Sequence, residues 1–367
     1  MKPQFWMPLV YVAPDEIAER ARRAEADGWD GVKLADTQCL HGDPFVMMTA
    51  GVLATETIAF SISASNPVTR HPAVAASAIA SIATIAPGRV HYGIGRGDSA
   101  LAYVGAAPAS VAVFERYVAA MRSYLHGDPV AFESIRDWRL TADVRTIQLG
   151  HAPDASRLVW RDPIVTVPIE VFATGPRVIS VAGRLADRAS LALGADVSRL
   201  RWAIDIARDA RRDAGLDPAD LSLGAVVPIG VSNEMSRARL SVSNMVASAG
   251  RFAVISGRIV GPVTDAQRVV YEAIGRSYDM NRHGGHGSQV DALTDAFIDT
   301  YAIVGSPSAC VERILELIDL GIDHIMLSPP LGDATEADRR DGYRGLVEDV
   351  LPGVRAALPK ISGARSA

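Results

Sequence analysis

Two glycine-containing segments of the sequence have the residue types that hold anions through backbone amides. The first segment consists of Gly95, Arg96, Gly97 and Asp98, within the run GIGRGDS. Its glycines let the backbone approach a ligand closely and present bare amides to it. The second segment consists of Ala173, Thr174, Gly175, Pro176 and Arg177, between a hydrophobic run and a helical pattern. A helix N-terminus there would seat a phosphate, although tight turns also need glycine, so either segment could be a plain connection.

A polar, proline-containing segment is the third candidate for ligand contact. It begins with Ser63, Ala64, Ser65 and Asn66 and continues as PVTRHP. The segment joins a hydrophobic run to an alanine-rich helical pattern, and a plain connection would not need so many hydrogen-bonding groups. His71 in this segment is expected to orient the loop or the helix that follows it.

The spacing of histidines and cysteines gives no strong metal or redox motif. His283 and His286 are separated by two residues in HGGHG, but the glycines around them would leave two metal ligands unpositioned. We therefore expect no metal there and interpret the segment as a flexible lid over a substrate. Cys39 and Cys310 have no C-x-x-C spacing, which suits a reducing cytosol.

The elements that must position these residues alternate between short β-rich runs and longer helical patterns, as in parallel βα units. Eight strands are predicted, over Phe5–Val10, Gly31–Leu34, Ile58–Ser63, Val90–Gly95, Ile169–Ala173, Ala189–Leu193, Gly224–Val231 and Ile325–Leu327. Helices are predicted between them, and a last helix over Asp338–Ala357. The order predicts an α/β fold, a TIM (β/α)8 barrel with insertions, as one domain over residues 1–367. A hairpin-like insertion is expected over residues 127–162, and a mainly helical insertion with the lid over residues 232–300.

Chemistry in a TIM barrel takes place at the carboxyl ends of the strands, where all three segments fall. Asp36, just after the second strand, is the best carboxylate available for a catalytic role, because burial at the barrel mouth would raise its pKa. A structural hydrogen-bond acceptor is an equally good interpretation of Asp36.

Composition and charge exclude several classes of protein. With 49% hydrophobic and 22% charged residues, the chain has enough apolar material for a large globular core. A net charge of −5 with both signs scattered argues against a nucleic-acid or anionic-membrane partner. Ala73–Ala86, the most apolar long stretch, is too short to span a bilayer and is expected to be a buried helix. The N-terminus has no export pattern, so a cytoplasmic location is expected.

The order of these motifs resembles the bacterial-luciferase-like family of flavin or deazaflavin barrel enzymes. The resemblance is carried by SNPVTRHPAVAASAIASIATIAPGRVHYGIGRGDSA, then by ATGPRVISVAGRLADR, and finally by YAIVGSPSACVERILELIDLGIDHIMLSPP. It covers residues 1–126 and 163–355, and it looks closest to the branch related to methylenetetrahydromethanopterin reductase, whose members use coenzyme F420. The motifs are specific to the family and do not identify a substrate.

The resemblance implies where a cofactor would lie. The isoalloxazine or deazaflavin ring would lie over a bulge in the third strand that contains a non-prolyl cis peptide, at Ser63-Ala64. The segments Gly95–Ser99 and Thr174–Arg177 would line the ribityl phosphate side, and Asp36 matches an acidic position near the ring or the substrate. The chain departs from many members, which have a histidine directly after that aspartate, and from the reductases, which have a glutamate on the first strand.

The function implied by the resemblance is an oxidoreductase that transfers hydride between coenzyme F420 and a small organic substrate. An FMN-dependent monooxygenase of the same family is the alternative. A barrel that has lost catalysis and serves as a partner or ligand-binding subunit is a third reading, favoured by the missing histidine and glutamate and opposed by the intact glycine segments. The family also implies a homodimer, with Met47, Met48 and Ala73–Ala83 in the interface.

Overall fold

The computed structural model describes residues 2–135, 143–147, 150–160, 165–283, 287–330 and 334–364. Eight parallel strands in these ranges close into a barrel, which confirms the predicted TIM barrel. The barrel strands are β1 Gln4–Leu9, β2 Gly31–Leu34, β3 Ala59–Ile62, β4 Val90–Ile94, β7 Ile169–Ala173, β8 Arg188–Leu191, β9 Ser222–Val231 and β11 His324–Ser328. Each strand pairs with the next, and β11 pairs with β1 to close the ring. The strands outside the ring are β5 Val130–Ala131, β6 Ala155–Ser156 and β10 Ile303–Gly305.

Helices cover the outside of the barrel and build the insertions. They are α1 Ile17–Ala26, α2 Pro44–Ala54, α3 Pro72–Ile85, α4 Ser99–Ala102, α5 Val111–His126, α6 Pro176–Leu185, α7 Val197–Asp213, α8 Met235–Gly250, α9 Asp265–Ser277, α10 Asp295–Tyr301, α11 Pro307–Asp319, α12 Glu336–Gly345 and α13 Leu351–Ala364. Proline is the first residue of α2, α3, α6 and α11, where its missing N–H costs no intrahelical hydrogen bond. None of the helices in the described part of the chain combines the length and apolar character needed to cross a bilayer.

Two elements near the C-terminus differ from the sequence prediction. The strand β10 was not predicted, because its three residues lie directly between two helices, α10 and α11, and outside the alternation of strand and helix that marks the barrel units. It pairs in parallel with the end of β9. The helix predicted over Asp338–Ala357 is divided into α12 and α13 by a π turn at Leu346–Val350. Pro352 explains the division, since it has no N–H to donate and its ring crowds the carbonyl one turn earlier.

The two long segments outside the βα units differ in how they are built. In residues 127–162, β5 and β6 pair antiparallel, and part of this segment lies outside the described residues. In residues 232–300, α8, α9 and α10 pack around a hydrophobic cluster of their own, separate from the barrel core. The cluster includes Val242, Val246, Tyr271, Ile274, Phe297 and Tyr301. The second segment therefore has a hydrophobic cluster of its own, and it is attached to the barrel where α8 packs on β9.

The barrel interior contains a buried ion pair below its mouth. The Lys33 ammonium on β2 donates to the Glu170 carboxylate on β7, and both side chains are fully buried. Glu170 also accepts hydrogen bonds from the hydroxyls of Ser61 on β3, at 2.9 Å, and Ser190 on β8. Burial lowers the pKa of Lys33 to about 8. Burial alone would raise the pKa of Glu170, but Lys33 and His324 hold it well below its usual range, so both groups are charged at neutral pH.

We expect Lys33→Met to lower the free energy of unfolding by about 3–5 kcal/mol, because it leaves the Glu170 carboxylate buried without its ion-pair partner. Urea denaturation measures the change. The double variant Lys33→Met/Glu170→Gln, which removes both charges, should be more stable than Lys33→Met alone. A single variant as stable as the unaltered protein would contradict this account of the barrel interior.

A second carboxylate, Glu25 on α1, fixes the start of β3. It accepts hydrogen bonds from the backbone amides of Glu56, Thr57 and Ile58, and from the Thr57 hydroxyl. Partial burial would raise the pKa of Glu25, but these hydrogen bonds outweigh burial and lower the pKa to about 2. The ionised carboxylate therefore stabilises the folded state.

We expect this contribution to be fully present above the ordinary glutamate pKa of 4.5 and to be lost as the pH falls through about 2. Chemical denaturation at a series of pH values measures it. In Glu25→Gln the stability should fall less steeply between these limits, and at neutral pH the variant should be less stable by about 1–2 kcal/mol. Glu19→Gln, an exposed position on the same helix, is the matched control and should keep the steep fall.

Candidate active site

A cavity of about 400 Å³ opens at the carboxyl ends of the barrel strands. Residues that follow β1, β2, β3, β4, β7 and β8 form its barrel side, and the segment between β9 and β10 forms the opposite side. Of the residues that the sequence predicted for the site, the cavity is lined by Ser63, Ala64, Ser65, Gly95, Arg96, Gly97, Asp98, Ala173, Thr174 and Gly175. The structure thus brings the three predicted segments to one cavity. Asp36, Asn66, Pro176 and Arg177 lie next to the lining residues and outside the lining itself.

The end of β3 has the conformation that was predicted for it. The Ser63-Ala64 peptide bond is cis, which confirms the prediction. The chain on either side is bonded to both neighbouring strands: the Ser63 amide donates to the Leu34 carbonyl at 2.7 Å, and the Ser65 amide donates to the Gly93 carbonyl at 3.0 Å. Asn66 is fully buried, and its side chain accepts hydrogen bonds from two backbone amides of its own loop. Asn66 therefore shapes the loop.

Asp36 is occupied by hydrogen bonds away from the cavity. Its carboxylate accepts from the Ser65 hydroxyl at 2.7 Å and from the Arg70 guanidinium at 2.6 Å, and its side chain is buried. Arg70 also binds Asp43, the N-cap residue of α2. Of the two roles considered for Asp36, this geometry is that of the hydrogen-bond acceptor, which ties the end of β2 to the loop after β3. His71 caps α3 by accepting from the Ala73 amide, as expected.

Glycine is required by the fold at one position of the site, whereas at two others it leaves open space. Gly97 has a φ of +80°, and a Cβ there would lie 2.6 Å from the Cβ of Asn66, so the fold itself requires glycine. A Cβ at Gly95 would lie 3.5 Å from the Cβ of Ala64, an ordinary contact. At Gly175 no heavy atom of the described residues comes within 4 Å of such a Cβ. Space for a ligand is therefore left at Gly95 and Gly175, whereas at Gly97 the protein fills it.

The side of the cavity near Gly95 and Gly175 is positively charged. Helix α6 begins at Pro176, and its N-cap, Gly175, leaves the N-terminus without a side-chain cap. Arg96 and Arg177 lie close enough that the charge of Arg177 adds to burial in lowering the pKa of Arg96. Two guanidinium groups and a helix N-terminus favour an anionic group at this side of the cavity.

Two cavity residues, Tyr11 and His41, were not predicted from the sequence. The loop after β2 turns back at Thr37, whose carbonyl accepts from the His41 amide, and this turn brings the His41 imidazole to the cavity. Its ring centroid lies 5.1 Å from that of Tyr11. Burial lowers the pKa of His41. An imidazole is therefore present in this loop, five positions after Asp36. A search for a histidine directly after the aspartate misses it, because the turn Thr37–Leu40 separates the two residues.

A polar network joins the glycine loop to the segment between β9 and β10. Arg251, nearly buried, pairs with Asp98 and donates to the Ser99 hydroxyl at 2.9 Å and to Nδ1 of His283 at 3.2 Å. Since a guanidinium only donates, Nδ1 of His283 accepts, and Nε2 carries the hydrogen that faces Ser99 at 3.1 Å. Burial and Arg251 lower the pKa of His283 to about 4, so the imidazole is neutral. His286 lies outside the described residues.

Known proteins resemble this chain in sequence and in fold. A family model described as luciferase-like monooxygenase matches residues 3–324. A 5,10-methylenetetrahydromethanopterin reductase of Methanolobus tindarius is 26% identical over 88% of this chain and 92% of its own length. An F420-dependent glucose-6-phosphate dehydrogenase of Beutenbergia cavernae is 25% identical over 95% of this chain and 96% of its own.

Two solved structures show the same fold. The coenzyme F420 dependent tetrahydromethanopterin reductase from Methanopyrus kandleri has a TM-score of 0.71 at 19% identity, covering 96% of this chain and 100% of its own. An F420-dependent secondary alcohol dehydrogenase in complex with an F420-acetone adduct has a TM-score of 0.69 at 19% identity, covering 96% and 99%. Because the family model matches most of its length, the chain belongs to the luciferase-like monooxygenase family.

Proposed function

We propose that this protein is an oxidoreductase that binds coenzyme F420 at the barrel mouth and transfers hydride between the deazaflavin and a small organic substrate. The observation that carries the proposal is the pairing of open glycine positions, Gly95 and Gly175, with the charge of Arg96 in the cavity lining and of Arg177 just outside it. This side of the cavity suits the anionic phosphate part of such a cofactor. Relatives that span nearly the whole chain and are named as F420-dependent support the choice of cofactor.

The residues present fit this cofactor because small residues, Ala64 and Gly95, line the cavity after β3 and β4, at what we call the cavity floor. Phe172 of β7 lies beside them. When bound, the cofactor supplies or accepts the hydride, while the substrate gains or loses a proton in the same turnover. Two imidazoles line the cavity, and we assign His41 to hold or release that proton, because both ring nitrogens of His283 face partners in the protein. Asp36 acts as a positioning residue, through Ser65 and Arg70.

An FMN-dependent monooxygenase remains the alternative function, since the family is named for that activity. A barrel without catalysis is the third reading. The binding of the two cofactors separates all three, because an F420 enzyme, an FMN enzyme and a barrel that binds neither give three different results.

We expect F420 fluorescence to be quenched on binding, with a dissociation constant at least about tenfold lower for F420 than for FMN. Gly95→Ala should weaken F420 binding by about tenfold or more, because its methyl group would stand between Ala64 and Phe172 in the floor. Gly150→Ala, at an exposed glycine with open space around it, is the control and should bind normally. Tight binding of FMN alone would favour the monooxygenase, and binding of neither would favour the non-catalytic barrel.

We also propose that the protein forms a homodimer through α2 and α3. Met47 and Met48, which were predicted for the interface, are buried in the core of their own chain, so they cannot contribute to it. The outer faces of the two helices instead present Val46, Leu53, Val74 and Ile85, which are 50% to 68% exposed. The segment Ala73–Ala86, expected to be a buried helix, is buried on one side, by Ala75, Ala76, Ile79, Ala80, Ile82 and Ala83, and exposed at Val74 and Ile85. Such an apolar face on two adjacent helices favours a second copy of the chain as its partner.

Sedimentation equilibrium at micromolar concentration should show a dimer. Leu53→Asp should shift the protein to a monomer, with a dissociation constant raised by about tenfold or more, because it places an unpaired charge in the interface. Val269→Asp, which changes an equally exposed valine on α9, should leave the dimer intact. A monomeric unaltered protein would refute the proposed dimer.

A further inference from the structure

The side of the cavity opposite the glycine segments is mostly apolar. Six of its residues come from the segment between β9 and β10, and we call them the insertion wall: Met245, Ala249, Phe252, Ala253, Ile255 and Val260. The same segment also lines the cavity with Ser248, Arg251, Ser256 and His283. The six side chains of the insertion wall offer van der Waals contact and no hydrogen bonds. The cavity therefore has two unlike sides, a positively charged one for an anion and a mostly apolar one.

Two arginines lie beside the insertion wall, and both are already bound to the protein. The guanidinium of Arg251 is held by Asp98, Ser99 and Tyr278. With its charge compensated and its side chain nearly buried, Arg251 is not available to an anionic substrate.

Arg199 is bound in a different way, through main-chain carbonyls. Its guanidinium donates to the carbonyls of Pro262 and Val260 at 3.2 and 3.3 Å, and it lies 5.4 Å from the ring centroid of Tyr271. Its Nε has no partner among the described residues, but this atom is shielded from the cavity surface by burial. Arg199 therefore holds the Val260 end of the insertion wall in place and does not present a free donor.

A charged substrate on this wall would lose its hydration, and the donors of the nearby guanidiniums, Arg251 and Arg199, are already used or buried. The unfavourable desolvation of an ion is not compensated by Met245 or Phe252, whereas an apolar group gains from the same contact. Among the polar side chains at the barrel end, Tyr11 and His41 suit one uncharged polar group at the reacting position.

We propose that the site selects neutral organic molecules, with one polar reacting group at the barrel end and an apolar body on the insertion wall, and that it rejects phosphorylated and carboxylated substrates. The proposal rests on the proposed function for the identity of the site, and it specifies the substrate class. It separates this chain from the relative whose name gives glucose-6-phosphate as its substrate.

Isothermal titration calorimetry with three probes tests the proposal: 2-decanone, 9-oxodecanoate and glucose 6-phosphate. The full-length protein is titrated with and without F420. We expect 2-decanone to bind at least about tenfold more tightly than 9-oxodecanoate, which differs from it by the terminal carboxylate, and glucose 6-phosphate to bind more weakly still. Equal or tighter binding of either anion would overturn the proposal.

Lysine substitutions on the insertion wall test which residues set the preference. Met245→Lys and Ile255→Lys each add a cation, and we expect either to reduce the preference for the ketone to about threefold or less. Ile255 is 45% exposed, so Ile255→Lys should fold and tests the role of the insertion wall even if Met245→Lys fails to fold. Leu240→Lys, at an exposed position on the same helix as Met245 and outside the cavity, should keep the full preference. A preference unchanged in both wall variants would refute the role of this wall.

Quenching of F420 fluorescence in the same samples distinguishes the two proposals. F420 binding without a preference among the probes would defeat the substrate class alone. A preference for the ketone without F420 binding would defeat the proposed function and support the apolar site.

Discussion

The burial of one carboxylate inside the barrel constrains everything above it. Glu170 is completely removed from water, so it must be met by the Lys33 ammonium and by hydroxyls from β3 and β8, and four strands have to hold their register for this to happen. Phe172, two residues further along β7, points to the same side as Glu170 and lies in the cavity floor, with its ring centroid 4.8 Å from the Lys33 ammonium. The position of the floor is therefore set by charge pairing in the layer below it.

The strand that carries the cis peptide is held at both ends by carboxylates from other units. Glu25 on α1 binds the amides that lead into β3, and Asp36 after β2 binds Ser65 and Arg70 beyond the end of the strand. Arg70 passes the restraint on to Asp43 and so to the start of α2. The barrel side of the cavity is thus made rigid by local ionic contacts, while separate polar contacts join the opposite side to it. These include Arg251 with Asp98, Arg199 with the Val260 carbonyl and Gln267 with Asp196. The rigidity of the barrel side and the separate attachment of the opposite side are consequences of where these polar groups lie.

The sequence predicts the barrel because short hydrophobic runs alternate regularly with longer helical patterns, and it predicts the loops because their polar and glycine residues are local signals. It does not predict Arg251, since the partner of this residue, Asp98, is 153 positions away and nothing local marks the pair. The structural need for glycine at position 97 is hidden for a similar reason: the atom that forbids a side chain there belongs to Asn66, in another loop. His41 was missed because a turn, and not adjacency in sequence, brings it to the cavity. Residue types within one loop can be interpreted from the sequence, whereas contacts between loops that are far apart in sequence require the structure.

The separate hydrophobic cluster of α8, α9 and α10 has a consequence for how this protein can evolve. Because Val246, Tyr271 and Phe297 belong to a cluster separate from the barrel core, replacements on the cavity side of this segment, away from the contact of α8 with β9, disturb the barrel core little. During evolution, the cavity residues of the segment between β9 and β10 can therefore change one at a time, while the cavity residues after the barrel strands stay the same. In this architecture, two different hydrophobic clusters support the two sides of the cavity: the barrel core supports one side, and the cluster of α8, α9 and α10 supports the other.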